Sequence, residues 1–333
     1  MKKQGKQFGK RIVGTFGIPV FTLLLFMLIC NLRGIALFNT AGHMLTFIRS
    51  TVVIGFTSWA LSLNLTSGRF DFSIGAIALL SSVIAARVTL IYDLPAFAMF
   101  LLSVIIGAVL GLISGLLYVL LKLPPIITSL GVTLIYEAMT FVVTKGEGVL
   151  LSTSLHLLKI SSTRNLIIMA LTGLIIMIFI CNETVFGYEM RALQTGQLIA
   201  VNTGIREHIN AVICYTLSGA LMGVVGVVNL TTKGTASVAL NFSSISTMFV
   251  AFLPMFVGGF IGRYSEERLG ILLGAITSAL ITLGFVRLEV SNQMQSLINA
   301  LILLLFLIFL NNEGKLKMIW AKSKTGIRDG ETK

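Results

Sequence analysis

The sequence predicts an all-α integral membrane protein of about ten transmembrane helices arranged as two inverted-topology repeats. Three observations carry this. Hydrophobic residues make up 56% of the chain and charged ones 11%, against the roughly 25% charged residues of a soluble domain, so there is too little polar surface to coat a water-soluble globule. Ten long apolar runs follow one another, and about 20 such residues span the hydrocarbon core. Finally, the chain echoes itself. Asn64-Leu65-Thr66-Ser67 with Gly68, followed by Phe70-Asp71-Phe72-Ser73, returns as Asn229-Leu230-Thr231-Thr232 with Gly234, followed by Leu240-Asn241-Phe242-Ser243. Gly107-Ala108 and Ser129-Leu130 return as Gly274-Ala275 and Ser296-Leu297 at the same spacing. Weak symmetry between two halves of a hydrophobic chain is the mark of many transporter folds.

In chain order the runs are 12–32, 47–65, 70–90, 94–121, 126–143, 166–182, 209–232, 242–261, 269–286 and 293–311. The first follows a basic start, as a signal peptide would. It is 21 residues without a charge, and no small-x-small cleavage site follows. A lipoprotein-type site at Cys30 wants a small residue where Ile29 stands, so an uncleaved span is expected. The fourth run is long enough to tilt or to extend beyond the bilayer.

The net charge of +12 reports topology. With the N-terminus in the cytoplasm, alternating through ten spans places 17 of the 25 Lys and Arg inside. Lys2, Lys3, Lys6, Lys10 and Arg11 precede the first span, and Lys315, Lys317, Lys322, Lys324, Arg328 and Lys333 follow the last. This is the positive-inside pattern, with both termini cytoplasmic in a cell inner or plasma membrane. Contact with anionic headgroups accounts for the basic balance, and no nucleic-acid role is needed. Cys30, Cys181 and Cys214 have no paired spacing and read as small buried hydrophobes. His43, His156 and His208 are equally scattered, so neither a metal site nor a cofactor is expected.

Small residues recur at four-residue spacing, as Gly107, Gly111 and Gly115 in the fourth span and as Gly270 with Gly274 entering the ninth. Such faces let helix backbones approach closely in lipid, within one chain or across a dimer. Lys122-Leu123-Pro124-Pro125 stops one helix and starts the next in a tight turn. Residues 144–165 form the main external loop. The expected organisation is a basic N-terminus over 1–11, a membrane domain over 12–311 and a basic tail over 312–333. The repeats cover approximately 47–143 and 209–311, with an internal loop at 183–208. Five spans separate corresponding elements, so the repeats are inverted. The Asn64–Ser73 segment then falls toward the cytoplasm and the Asn229–Ser243 segment toward the outside.

No phosphate-binding loop is present: Gly5 and Gly9-Lys10 stand one residue too close, and Arg11 replaces the magnesium-holding Ser or Thr. No dinucleotide fingerprint, catalytic triad or zinc motif has a plausible context. The internal loop carries Gly187-Tyr188-Glu189-Met190-Arg191-Ala192, then Ala200, then Gly204-Ile205-Arg206. It resembles the cytoplasmic loop of ABC importer permeases of the ribose and simple-sugar branched family, in which a Gly-aromatic start leads through a short helix to a closing Ala and Gly-Ile. Thr66-Ser67-Gly68-Arg69-Phe70-Asp71-Phe72-Ser73-Ile74-Gly75-Ala76 resembles that family's segment of Gly, acidic residue, Leu-Ser and Gly. Lys122 through Gly131 resembles its Pro-Pro, apolar, Thr-Leu-Gly turn. The resemblance runs over most of residues 50–311. Two departures are Arg69, where a small or apolar residue is commoner, and the polar run Arg263-Tyr264-Ser265-Glu266-Glu267-Arg268 before the ninth span.

The resemblance implies a permease subunit working as a homodimer or heterodimer, with a cytoplasmic ATP-binding subunit below and an extracytoplasmic solute-binding protein outside. It is not itself an enzyme, since ATP hydrolysis belongs to the partner. Gly187, Tyr188, Arg191, Ala200, Gly204 and Ile205 would mark the loop that couples to the ATPase, with Leu193, Leu198 and Ile205 filling an apolar groove. The candidate translocation path comprises Asn64, Thr66, Asp71, Glu137, Asn229, Asn241 and Ser243. Ionisable groups in the membrane tend to face a pathway or a partner. For Asp71 the competing readings are an ion pair with Arg69 or a helix cap, and for Glu137 snorkelling to the outer surface. The polar side chains could equally satisfy the backbone of broken helices. The expected cargo is a small hydroxylated solute such as a monosaccharide. The alternatives are an ABC permease for a nucleoside or other non-sugar solute, and an ion-coupled secondary transporter, which would want more buried carboxylates than Asp71 and Glu137.

Overall fold

A computed structural model describes residues 2–151 and 154–329, with side chains described within 9–312. The side chains of Lys2, Lys3, Lys6 and the six basic residues after the last span lie outside the described residues. Ten of the described helices are long and apolar enough to cross a membrane, one for each predicted run. They are α1 (Lys2–Leu32), α2 (Ala41–Leu65), α3 (Ile74–Tyr92), α4 (Ala96–Leu121), α5 (Pro125–Thr144), α6 (Thr163–Glu183), α9 (Glu207–Lys233), α12 (Glu267–Arg287), α13 (Asn292–Asp329) and a composite eighth span. That span joins a 3₁₀ turn (Ser243–Ile245) to α10 (Ser246–Phe249) and α11 (Phe252–Gly262). The internal loop holds two short helices where one was expected, α7 (Val185–Thr195) and α8 (Gln197–Asn202). The only described strands, β1 (Val149–Leu150) and β2 (Thr235–Ala236), pair antiparallel.

The chain divides into two units, Met1–Arg287 and Leu288–Lys333. The second is α13 with the turn before it, where Gln295 Nε2 donates to the Val290 carbonyl at 2.8 Å. The helix runs past the expected span end to Asp329, because the sequence after Asn312 contains no proline to stop it.

In the first unit the glycine faces meet inside the chain. Gly107, Gly111 and Gly115 of α4 lie on α9, and a methyl group at Gly111 would stand 3.0 Å from the Gly219 Cα and overlap the Tyr215 carbonyl. Ser103 Oγ donates to the Gly223 carbonyl at 2.8 Å across the same seam. Gly270 and Gly274 of α12 lie instead on Pro254, Gly258 and Gly262 of α11. The echoed glycines 107 and 274 thus close on different partners, one across the repeats and one within its own.

The inverted symmetry survives in the larger pattern of contacts. α3 packs on α4 as α11 packs on α12, and α4 packs on α9 as α12 packs on α2. The α2–α12 seam is fastened by polar bonds: Trp59 Nε1 donates to the Arg268 carbonyl at 3.0 Å, and Arg268 Nη1 donates to Ser62 Oγ at 2.8 Å. Each is a buried polar group given a partner, as an interior without water requires.

Candidate functional site

Each repeat interrupts its helix once, and the candidate path residues cluster at these two interruptions. The first lies between α2 and α3. Gly68 takes a left-handed φ of 75°, which only glycine adopts without cost. The turn folds back so that the backbone N–H groups of Ser67 and Arg69 both donate to the Asn64 carbonyl, at 3.2 and 3.0 Å. Asp71, 1% exposed, then spans the break. Its Oδ1 accepts from the Ser73 N–H at 2.9 Å and from Ser73 Oγ at 2.6 Å, and its Oδ2 accepts from Asn64 Nδ2 at 3.4 Å. An acidic side chain bonded two residues on is the Asx turn, and it places a carboxylate at the mouth of α3, where the helix dipole favours negative charge. The residue that Asp71 holds is Ser73, the N-cap position of α3 itself, ahead of the first-turn N–H groups that a helix cap would serve. Arg69 turns away to α9, with Nη2 3.5 Å from Cys214 Sγ.

The second break follows α9, which ends at Gly234 with a left-handed φ of 71°. β2 then pairs with β1, and Asn241 and Phe242 both adopt left-handed φ values, 58° and 64°. Asn241, the counterpart of Asp71, is exposed. The carboxylate comes from Glu137 instead. Glu137 Oε2 accepts from the Phe242 N–H at 3.0 Å, and Oε1 accepts from the Ser244 N–H at 2.9 Å and from Ser244 Oγ at 2.6 Å. At 1% exposure it does not snorkel.

α5 delivers Glu137 because its polar residues share one buried face. Ser129, Thr133, Glu137, Thr140 and Thr144 are all buried, spaced three or four residues apart as a helix stripe requires. Ser129 Oγ also donates to the Phe70 carbonyl at 3.3 Å, so one helix face touches both breaks. The breaks touch each other as well. A methyl group on Gly75 in the first turn of α3 would overlap the Ser244 carbonyl.

Beside this contact lies a cavity of about 260 Å³ between α3, α9 and the second break. Asn229 and Ser243 line it; the other path candidates, Asn64, Thr66, Asp71, Glu137 and Asn241, do not. Sequence reasoning missed Ser82, Lys233, Ser244 and Thr247 in its wall. Lys233 and Ser244 adjoin the echoed residues, which is the signal that could have found them. Among the described residues no acidic and no aromatic side chain lines the wall. Among the described residues no group of three His, Cys, Asp or Glu side chains is placed to hold a metal ion.

The internal loop is tied to the rest of the unit from several sides. A methyl on Gly187 would overlap the Cys181 carbonyl, and the Gly187 N–H donates to Thr184 Oγ1 at 3.3 Å as the N-cap of α7. Arg191 stacks on the exposed Tyr188 ring at 4.8 Å and donates to Asn182 Oδ1 at 3.4 Å. Asn182 Nδ2 donates in turn to Glu266 Oε1 at 3.3 Å, and Asn210 Nδ2 to the Phe186 carbonyl at 3.4 Å. Gln194 Nε2 reaches Thr66 Oγ1 in the first break at 2.7 Å. α8 closes at Gly204 (φ 96°), where the Ile205 N–H bonds back to the carbonyl of the buried Ala200 at 3.2 Å, a Schellman-type end. Leu193 is buried within the chain, whereas Val185, Leu198 and Ile199 are 73%, 82% and 74% exposed.

Residues 43–312 match the family described as the branched-chain amino acid transport system, permease component. The chain is 25% identical to the fructose import permease protein FrcC of Rhizobium meliloti, over 80% of this chain and 77% of that one. It is 26% identical to the autoinducer 2 import system permease protein LsrC of Photorhabdus luminescens (81% and 84% covered). It is also 23% identical to the ribose import permease protein RbsC of Haemophilus influenzae (84% and 88% covered). Ten spanning helices, a broken helix in each half and this match over most of its length agree: the chain belongs to the ABC importer permease family of the branched-chain amino acid and simple-sugar type.

Proposed function

We propose that this chain is the membrane-spanning subunit of an ATP-driven, binding-protein-dependent importer whose solute is a small uncharged polyhydroxylated molecule, a monosaccharide. The observation that carries this is the chemistry of the cavity between α3, α9 and the second break. Its polar wall offers hydroxyl and amide groups with one ammonium, from Ser82, Asn229, Lys233, Thr235, Ser237, Ser243, Ser244 and Thr247. These donate and accept hydrogen bonds as sugar hydroxyls do. An amino acid would bring an ammonium group into a wall without a carboxylate, and burying an unpaired charge is costly. A nucleobase would find no aromatic face to stack on. The relatives named for fructose, autoinducer 2 and ribose support the same reading.

In this reading both termini are cytoplasmic, the cavity opens outward toward the solute-binding protein, and the α7–α8 segment seats on the ATP-binding subunit. The exposed Val185, Leu198 and Ile199 on that segment support the docking role, since apolar anchors carry most interface energy. Reporter fusions after residue 150 should read external and after residue 195 internal. Purified alone, the chain should hydrolyse no ATP above background. Leu198→Asp should release the ATPase or abolish uptake, at a cost of roughly 2 to 4 kcal/mol for a central anchor.

The decisive measurement is ATP-dependent uptake by the assembled transporter in vesicles, comparing D-ribose and D-fructose with leucine and adenosine. Uptake of leucine in preference to either sugar would overturn the solute assignment.

A further inference from the structure

α7 and the start of α12 face each other across a second cavity, of about 230 Å³, lined by Met190 and Arg191 on one side and by Glu267 and Arg268 on the other. Side chains from α6 and from the turn before α12 join them. Arg191 donates to Asn182, and Asn182 donates to Glu266, whose Oε2 accepts from the Leu269 N–H at 2.7 Å. Glu266 thus caps α12 while it holds α6. Two residues on, Arg268 donates to Ser62 of α2, and the Ser62 carbonyl accepts from Thr66 Oγ1. Thr66 Oγ1 accepts in turn from Gln194. The bonds therefore leave α7 at Arg191 and return to it at Gln194, three residues later and on the same helix face.

This circuit takes in both repeats, since α2 belongs to the first and α12 to the second. Its far side is buried: Arg268 and Ser62 are each 1% exposed, and Trp59 Nε1 holds the Arg268 carbonyl. Its α7 side is exposed. The polar run at 263–268, which departs from the pattern of the resembled family, supplies two of its members. We propose that the circuit transmits displacement of α7 to α2 and α12 together, and that Asn182, Glu266 and Arg268 are its positioning residues. The cavity leaves no packed wall between α7 and α12, so a pull on α7 reaches α12 through the bonds at Asn182. One helix of each repeat is then moved at once, as a rigid-body transition requires. The transmission rests on the docking of α7 on the ATP-binding subunit and on no assumption about where the solute passes.

The test is hydrogen exchange of the assembled transporter, read by mass spectrometry with and without adenylyl imidodiphosphate, a non-hydrolysable ATP analogue. In wild type, nucleotide should change exchange in α7 and in the first turn of α12 together. Asn182→Leu, close in size to asparagine, removes both bonds at the centre of the circuit. Without nucleotide the first turn of α12 should exchange in this variant as in wild type, because Glu266 still caps it. With nucleotide the response should remain in α7 and be lost from α12. Arg191→Leu, at the exposed bond, should act alike without touching a buried residue. In vesicles, ATP-driven uptake of D-ribose should fall about tenfold in both variants, within the range for a broken link between coupled sites. ATP hydrolysis and retention of the ATP-binding subunit should stay at the wild-type level. Asn165→Leu, at the opposite end of α6, should change none of these.

An α12 response in Asn182→Leu and Arg191→Leu equal to that of wild type would overturn the transmission. So would a wild type in which α7 answers to nucleotide and α12 does not, and the docking of α7 would then stand. Loss of the ATP-binding subunit from the variants would assign these residues to docking instead and overturn the transmission as well. A wild type in which α7 itself is silent would refute the docking and the transmission together. A wild type that carries leucine in preference to ribose, with α7 and α12 still responding together, would refute the solute and leave the transmission standing.

Discussion

The two breaks carry the same sequence pattern and are held in different ways. In the first, every bond to the Asp71 carboxylate comes from within seven residues along the chain. In the second, the carboxylate arrives from Glu137, 105 residues before Phe242. A helix start leaves backbone N–H groups without partners and carries partial positive charge, so each half-helix needs an acceptor at its mouth. Where repeat one has Asp71, repeat two has Asn241, whose left-handed backbone and exposed side chain leave the mouth of the eighth span empty. Repeat one then lends an acidic residue to repeat two. The first turn is self-contained, whereas the second takes its acceptor from α5, which ties the second break mechanically to the other half of the molecule.

The largest expected effect tests that dependence. Glu137→Ala leaves the buried N–H and hydroxyl of Ser244 and the part-buried N–H of Phe242 unpaired, and should destabilise the protein by about 3 to 5 kcal/mol, at about 1 to 3 kcal/mol per unsatisfied group with partial relaxation. Asp71→Ala removes a local acceptor in a turn that Gly68 and the Asn64 carbonyl still hold, so its cost should be smaller, about 1 to 3 kcal/mol. Equilibrium unfolding of the two variants in the same lipid or detergent measures the difference. If Asp71→Ala proves the costlier, the distinction between a local and a borrowed cap is wrong.

The spans, the breaks and the inversion were legible because each depends on composition or on a pattern within a few dozen residues. The ten apolar runs match ten helices, and the echo at Asn64 and Asn229 marks where both helices stop. Glu137 stood out as an ionisable residue inside a span, yet its partner did not, because nothing local to Tyr136-Glu137-Ala138 indicates a turn 105 residues away. A clue was present in the comparison itself. Asn241 in the place of Asp71 removes a charge that a half-helix start requires, so the missing acceptor had to come from elsewhere, and few buried acids were on offer. The partners of the glycine faces were illegible for a related reason. Gly107 and Gly274 are equivalent in sequence, and only the packed bundle sends one to α9 and the other to α11.

A smaller effect separates the breaks by what touches them. α7 reaches the first break through Gln194 and Thr66 at 2.7 Å, whereas the second break is fastened by α5 and by the β1–β2 ribbon. If α7 follows the ATPase, the nucleotide cycle acts first on the first break. Gln194→Ala removes one exposed hydrogen bond, about 0.5 to 1.5 kcal/mol. It should lower ATP-driven uptake by up to about tenfold and leave nucleotide-free ribose efflux at the wild-type level. Raised efflux in Gln194→Ala would mean that both breaks answer to α7 alike.

The smallest expected effect is the sharpest test of whether residue type or backbone geometry decides the capping mode. Asn241→Asp restores to repeat two the acid that repeat one uses. Were residue type sufficient, the new carboxylate would cap Ser243 as Asp71 caps Ser73, and it would rescue Glu137→Gln. The backbone argues otherwise. Asn241 and Phe242 are both left-handed, and no positive φ occurs at Asp71 or Phe72, so the side chain at 241 points to the exterior and not across the helix mouth. Adopting the first break's turn would cost about 1 to 3 kcal/mol in rebuilding a local conformation that the ribbon and α5 impose. Asn241→Asp alone should therefore change stability by about 0.5 kcal/mol or less, as an exposed substitution does. Asn241→Asp with Glu137→Gln should remain within about 0.5 kcal/mol of Glu137→Gln alone, the additivity of sites that do not share a partner. Recovery of most of the lost stability in the double variant would show that the second break can refold into the form of the first, and that the borrowed carboxylate is a choice of sequence more than of fold.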